Sequence, residues 1–198
     1  MLIKDGDTVC IVGGGPGGSA CAMTLLREAR KLGRKINVVL LEHKQFAEQR
    51  HYNQCIGVLS PPFENILKDE LGLTLPESLV LNEIEGYRLH SDLLSLDLIG
   101  EEKGRSVSVA RSKFDAFMLE EAQKAGAQVV HNRVTAVEVN SDGVLIYSEG
   151  ENIKSAAVVG AFGLDDGTCR VFEQGTPYRQ PDFLNTVITR LYPGKEFM

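Results

Sequence analysis

Three glycines, Gly13, Gly15 and Gly18, stand at GxGxxG spacing directly after an apolar β-branched run, TVCIV at Thr8 to Val12. In such a pattern the first glycine permits a tight turn and the second lets the backbone approach a pyrophosphate. The third lets helix and strand pack closely. Pro16 and Gly17 complete the turn, and the helix that follows would offer unpaired amide hydrogens and a partial positive charge to an anion. A second apolar run, Ile36 to Leu41, closes on Glu42, whose carboxylate can accept hydrogen bonds from ribose hydroxyls and would repel a 2′-phosphate, disfavouring NADP. His43 adjoins Glu42 and could brush the adenosine; Lys44 is a cation available to phosphate. The chemistry implied is a dinucleotide site, open to NAD or FAD on the fingerprint alone, against the alternative of a glycine-rich structural turn.

The elements that must position these residues are legible nearby. After Pro16 the period changes to helical, with Ala22, Leu25, Leu26, Ala29 and Leu32 on one face and Gly33 as the stop. The first 42 residues therefore spell strand, helix, strand, a βαβ unit. A polar and aromatic stretch, 43–59, reads as a long functional loop. A helix is predicted from Pro61 to Leu71. From Glu83 to Ser108 a loose alternation predicts antiparallel strands, with Tyr87, Leu89, Leu94, Leu96, Leu98, Val107 and Val109 facing inward. Ser112 and Asp115 approximate a capping box ahead of a helix ending at Gly126. Strands follow at Gln128–His131, Arg133–Asn140 and Val144–Ser148, the last two joined through Asp142-Gly143, a hairpin step. Ala156–Ala161 returns to a buried parallel strand, and little order is expected beyond Gly163 until an alternating strand, Thr186–Tyr192.

An NAD domain of doubly wound type should alternate strand and helix promptly after Glu42. The long loop and antiparallel excursion that intervene here point instead to a flavoprotein of the glutathione-reductase layout. The expected fold class is thus α/β, a Rossmann-like FAD-binding fold of glutathione-reductase type with antiparallel β excursions.

Composition excludes several classes. With 198 residues, 43% hydrophobic and 24% charged, the chain is an ordinary globule large enough to bury a core. Lys plus Arg number 21 against 27 Asp plus Glu, a net charge of −6, so no basic field exists to recruit nucleic acid. No apolar stretch approaches the roughly 20 residues of a spanning helix, and the first residues lack a secretory pattern, so the expected address is cytoplasmic, free or peripheral to a membrane. The four cysteines, at 10, 21, 55 and 169, are too irregularly spaced for a paired zinc site. No Ser-His-Asp or HExxH arrangement supports hydrolysis.

The segments IVGGGPGGSACAMTLL, LLEHK, CIGVLS, VARSKFDAFMLEEAQKAGAQV and VVGAFG, at these intervals, resemble the geranylgeranyl reductase branch of the FAD-dependent oxidoreductases related to p-hydroxybenzoate hydroxylase. The resemblance implies FAD as cofactor, with Arg111 of the R-x-x-F-D segment near the flavin side and Val134 and Thr135 meeting the adenine through backbone groups. It implies a close approach at Gly160 and Gly163, although Phe162 stands where the branch has an Asp. Cys55 with Gly57 keeps part of a Cys-Gly-Gly segment, so a thiol lining the flavin pocket could orient a substrate or relay a proton. Read without the resemblance, Cys55 is a loop thiol that could equally be inert, and Arg111 a solvated cation. Tyr52 is the second candidate donor and His51 a third.

The activity implied is reduction of an isoprenoid or other apolar substrate by hydride transfer through FAD, with NAD(P)H or another electron donor. An aromatic monooxygenase of the same superfamily, a non-catalytic nucleotide-binding or assembly module, and an NAD-binding domain are the rivals. The branch completes its cofactor site with a later Gly-Asp segment absent here, so the expectation is the N-terminal part of an FAD domain over 1–175, the start of a substrate sheet over 176–198, and a homodimer or partner chain completing the fold.

Overall fold

The computed structural model describes residues 3–46, 55–99, 105–182, 184 and 186–188. Its centre is a four-stranded sheet in the order β12-β1-β2-β8, parallel throughout, formed by β1 (Thr8–Val12), β2 (Asn37–Leu41), β8 (Gln128–Val130) and β12 (Ala157–Gly160). The continuous apolar runs have a direct cause. Ile11, Val38 and Leu40 point into one core with Ala22, Met23, Met118 and Ala122, while Cys10, Val12 and Leu41 point into a second with Val137, Ile146 and Phe172. Both faces of the sheet are covered, so alternation would serve no purpose.

On the first face lie α1 (Pro16–Lys31) and α3 (Arg111–Lys124), packed side by side. Helix α1 has Pro at its first position and ends on basic Arg30 and Lys31, which suit its negative pole. Helix α3 starts from Ala110 without a side-chain cap. The expected Ser112–Asp115 capping box is thus not formed: Ser112 is already inside the helix, and the buried Asp115 carboxylate pairs instead with Arg111 one turn earlier.

The second face is covered by an antiparallel sheet in the order β11-β10-β9, from β9 (Val134–Asn140), β10 (Gly143–Ser148) and β11 (Ile153–Ser155), and by α4 (Asp166–Gly175). Gly143, at φ +136°, closes the β9–β10 hairpin as its Asp-Gly step predicts. Helix α4 and the short β11 were not expected. The helix is nucleated by Asp165, whose carboxylate accepts the Thr168 amide at 2.9 Å and its hydroxyl at 2.8 Å, and it buries Cys169 and Phe172.

Between β2 and α3 the chain makes the antiparallel excursion. Strands β3 (Val58–Leu59), β4 (Val80–Ile84) and β7 (Ser106–Val109) form a sheet in the order β3-β7-β4. β5 (Gly86–His90) and β6 (Ser95–Ile99) form a separate ribbon. The helix expected over 61–71 is shorter: α2 (Phe63–Asn65) widens into a π-helical turn, Ile66–Glu70, which buries Leu67 and leaves Ile66 exposed. Val107 and Val109 are buried as expected, but Tyr87, Leu89, Leu94, Leu96 and Leu98 are not inward residues. They are 45–76% exposed, because among the described residues no element covers the ribbon's apolar face. Residues 186–188 carry no strand, and the remainder of the expected Thr186–Tyr192 strand lies outside the described residues.

Candidate functional site

At the carboxyl ends of β1 and β2 the chain opens into a cleft of about 940 Å³, the size range of small-molecule and cofactor sites. Such crevices mark the ligand side of open parallel sheets. Gly15, Pro16 and Gly17 line it at the positive end of α1, and Gly13 and Glu42 line its floor. A small polar pocket adjoins it through Gly13, Glu42 and Lys44, walled by His43, Asn132 and Val134.

The fingerprint glycines divide by what surrounds them. Gly13 adopts φ +109°, and a Cβ there would lie 2.4 Å from the Ala161 carbonyl oxygen. A Cβ on Gly18 would lie 1.8 Å from the Gly13 carbonyl oxygen, so this residue is glycine to let α1 pack on the turn. Around Gly15 and Gly17 there is open space instead, with no atom within 4 Å of a built Cβ. These two therefore leave backbone bare at a helix N-terminus, which is the cradle a diphosphate requires. Gly14, between Gly13 and Gly15, is a position the GxGxxG spacing leaves open. Its Cβ would lie 2.8 Å from the Glu42 Cβ, so the turn can rest on the end of β2 only if this position too is glycine.

Glu42 is held in place from several sides. Its Oε2 accepts the Gly14 amide at 2.8 Å, its Oε1 accepts the Lys44 amide at 2.8 Å, and its backbone carbonyl accepts from His131 Nδ1 at 3.0 Å. The residue is 6% exposed. A carboxylate has about four acceptor positions, so two remain for the edge of a ribose facing the cleft. His43 Nδ1 lies 3.7 Å from Oε1; burial, then the nearby Arg133, hold its imidazole below the usual histidine range. Its charged form is therefore disfavoured at this end of the cleft.

Farther along the cleft stand Cys55, Arg111 and Asp115. Arg111 Nε donates to Asp115 Oδ1 at 2.6 Å. Burial opposes the Arg111 charge, but hydrogen bonding to Asp115 and to Cys55 outweighs it, and its pKa is raised. The Cys55 sulfur also accepts the Gly57 amide at 3.4 Å. The cation that resemblance puts near the flavin and the thiol singled out among loop residues thus share one wall.

The other expected site residues are distributed unevenly. Val134 lines the small pocket, whereas Thr135 is exposed on β9 and lines neither depression. Gly163, at φ +59°, lines the main cleft. Gly160 lines neither: a Cβ there would meet the Phe162 ring at 2.6 Å, so its place is beneath the tilted ring pair of Phe162 and Phe172, centroids 4.7 Å apart. Phe162 fills with ring packing the position where the branch has an acid. Asp165, three residues on, lines both depressions and brings a carboxylate back to the rim. Tyr52 and His51 lie outside the described residues.

This sheet order, the bare cradle at the α1 N-terminus and the carboxylate ending β2 define a dinucleotide-binding α/β protein. No protein-family model matches the chain. It is 34% identical over 175 residues to an uncharacterized protein in the nifH2 5′ region of Methanosarcina barkeri, covering 82% of this chain and 86% of that one. Protein FixC of Escherichia coli K12 is 30% identical over 162 residues, which are 78% of this chain but 36% of FixC, so the chain spans just over a third of that relative. Among solved structures, a geranylgeranyl bacteriochlorophyll reductase-like protein from Thermoplasma acidophilum superposes with a TM-score of 0.62 at 25% identity, covering 85% of this chain and 42% of its own. The chain belongs to the family of the Methanosarcina protein, and it shares its fold with the geranylgeranyl reductase-like protein.

Proposed function

We propose that the chain binds FAD along this cleft and serves as the cofactor-holding part of a flavoprotein oxidoreductase. The observation that carries the reading is the combination of open backbone at Gly15 and Gly17 with the doubly anchored Glu42 carboxylate. The α1 amides hold the diphosphate, Glu42 orients the adenosine ribose, and Val134 closes the adenine side. Arg111, clamped by Asp115, presents a fixed cation at the opposite end. Cys55 sits beside that cation, where its thiol can orient a substrate or pass a proton. FAD, when bound, supplies the hydride or electron transfer. The substrate class we favour is apolar, an isoprenoid or a quinone-like compound, with NAD(P)H or another carrier as donor.

Reconstitution tests this. Purified protein is mixed with FAD, desalted, and followed by flavin absorbance and fluorescence during reduction by dithionite and reoxidation by a dye. Retained flavin that cycles supports an oxidoreductase. Retained flavin that does not cycle with the dye supports a nucleotide-binding module, and selective retention of NAD overturns the FAD assignment.

A further inference from the structure

Phe162 is braced by its neighbours and yet left partly open. Its ring lies 4.7 Å from that of Phe172 at 50° and 5.8 Å from that of Tyr178 at 88°, both within the range of favourable aromatic pairs. The absence of a side chain at Gly160 makes room for both phenylalanines, since a Cβ there would lie 2.6 Å from the Phe162 ring and 3.1 Å from the Phe172 ring. Phe172 is buried, whereas Phe162 is half-buried.

The open part belongs to the nucleotide site. Among the described residues, Phe162 is the one aromatic ring that lines both the main cleft and the small pocket beside Glu42. Val12, Leu41 and Val134 line that pocket too, so apolar walls suited to a flat heteroaromatic group meet the polar side chains of Glu42 and Asn132. At about 30 Å³ the pocket has room for two or so water-sized groups, so it admits the edge of a base and not a whole ring. The rest of the base then lies where the two depressions join, which is where Phe162 stands. The isoalloxazine is the poorer occupant, because Cys55 and Arg111 line the main cleft and not the small pocket.

We propose that the Phe162 ring is the platform on which the adenine of the bound dinucleotide stacks, a specificity-determining contact that rests on the FAD reading above. An aromatic face rewards the base and is indifferent to the diphosphate, so its effect is separable from that of the α1 cradle.

Calorimetric titration of the full chain with ADP tests it, using the wild type, Phe162→Leu and Phe162→Tyr, with circular dichroism as the check on folding. Phe162→Leu keeps an apolar side chain but loses the ring, and should weaken ADP binding roughly 5- to 150-fold, the usual worth of one base stack. Phe162→Tyr keeps the ring and should keep wild-type affinity. Because the chain has no tryptophan, Phe162→Trp adds a single fluorophore at the same place. ADP should quench its emission and inorganic pyrophosphate should not; should Phe162→Leu fail to fold, this fluorescence decides alone. Unchanged ADP affinity in Phe162→Leu, or equal losses in Phe162→Leu and Phe162→Tyr, overturns the platform and leaves the FAD reading standing. Emission of Phe162→Trp that ADP and pyrophosphate change alike does the same. A wild type that binds no ADP overturns the FAD reading and this contact with it.

Discussion

The Gly14 amide donates to the Glu42 carboxylate across 2.8 Å, joining the turn before α1 to the end of β2, 28 residues away. Because Lys44 donates to the other carboxylate oxygen, this acid fixes the cradle's shape as well as the charge that faces a ribose. Glu42→Gln keeps the size but sets one amide N–H against another backbone donor. Loss of a charge-assisted hydrogen bond in a buried site predicts destabilisation of about 1–3 kcal/mol by urea unfolding. FAD affinity should fall as well, and a variant with unaltered stability and affinity would remove Glu42 from the site.

Gly17 and Gly18 are neighbours with opposite predicted responses. Gly17→Ala adds a methyl to open space within a helix and should raise stability by up to about 1 kcal/mol, since Ala is the better helix former. The same methyl occupies the diphosphate face, so FAD binding should weaken tenfold or more, about 1.4 kcal/mol. Gly18→Ala forces a methyl against the Gly13 carbonyl and should cost about 3 kcal/mol, the upper range for overpacking. Thermal unfolding paired with flavin titration checks both, and a Gly17→Ala protein that is stabilised yet binds FAD normally would contradict the cradle.

Asp165 links α4 to the acid limb of the stability profile. Burial raises its pKa, but the hydrogen bonds from the Thr168 amide and hydroxyl outweigh it, so the folded value is lowered. Its contribution is therefore fully present above the unfolded aspartate value of about 3.9 and is lost as pH falls below it through the folded value. Asp165→Ala should cost about 0.5–2 kcal/mol at pH 7 as a lost helix cap, and less at pH 3. Urea midpoints at the two pH values measure the difference; equal losses would contradict this.

The thiols of Cys10, Cys55 and Cys169 should separate under iodoacetamide. Cys10 is fully buried and its thiol is pushed up to about 12 by burial; Cys169 is equally enclosed. Cys55 lines the cleft beside Arg111, so peptide mapping should find it alkylated fastest and protected by FAD. Modification of Cys55 at the same rate with and without bound FAD would place the flavin elsewhere.

The legible and illegible parts of the chain differ for physical reasons. Buried parallel strands and α1 are written locally, in apolar runs and a 3.6-residue period, and Glu42 follows from its position at a strand end. The Asp115 contact was misread because capping and ion pairing use the same residue types, and burial decides between them. Helix α4 was missed although Asp165 and Thr168 carry a cap pattern at its start, because a glycine follows immediately and its apolar face is short. The ribbon's leucines alternate as an inward face would; only the fold reveals that none of the described residues forms a layer over them. Gly14 looks redundant in a GGG run until the Glu42 side chain is placed beneath it.

The proposed function requires that one FAD occupy the cleft over the Gly13–Gly18 turn. Calorimetric titration of the wild-type chain with FAD, repeated in saturating ADP and with Gly17→Ala, tests it most directly. One FAD should bind per chain, in competition with ADP and more weakly in the variant. Heat that is absent, or that neither ADP nor the Gly17 methyl diminishes, would contradict it.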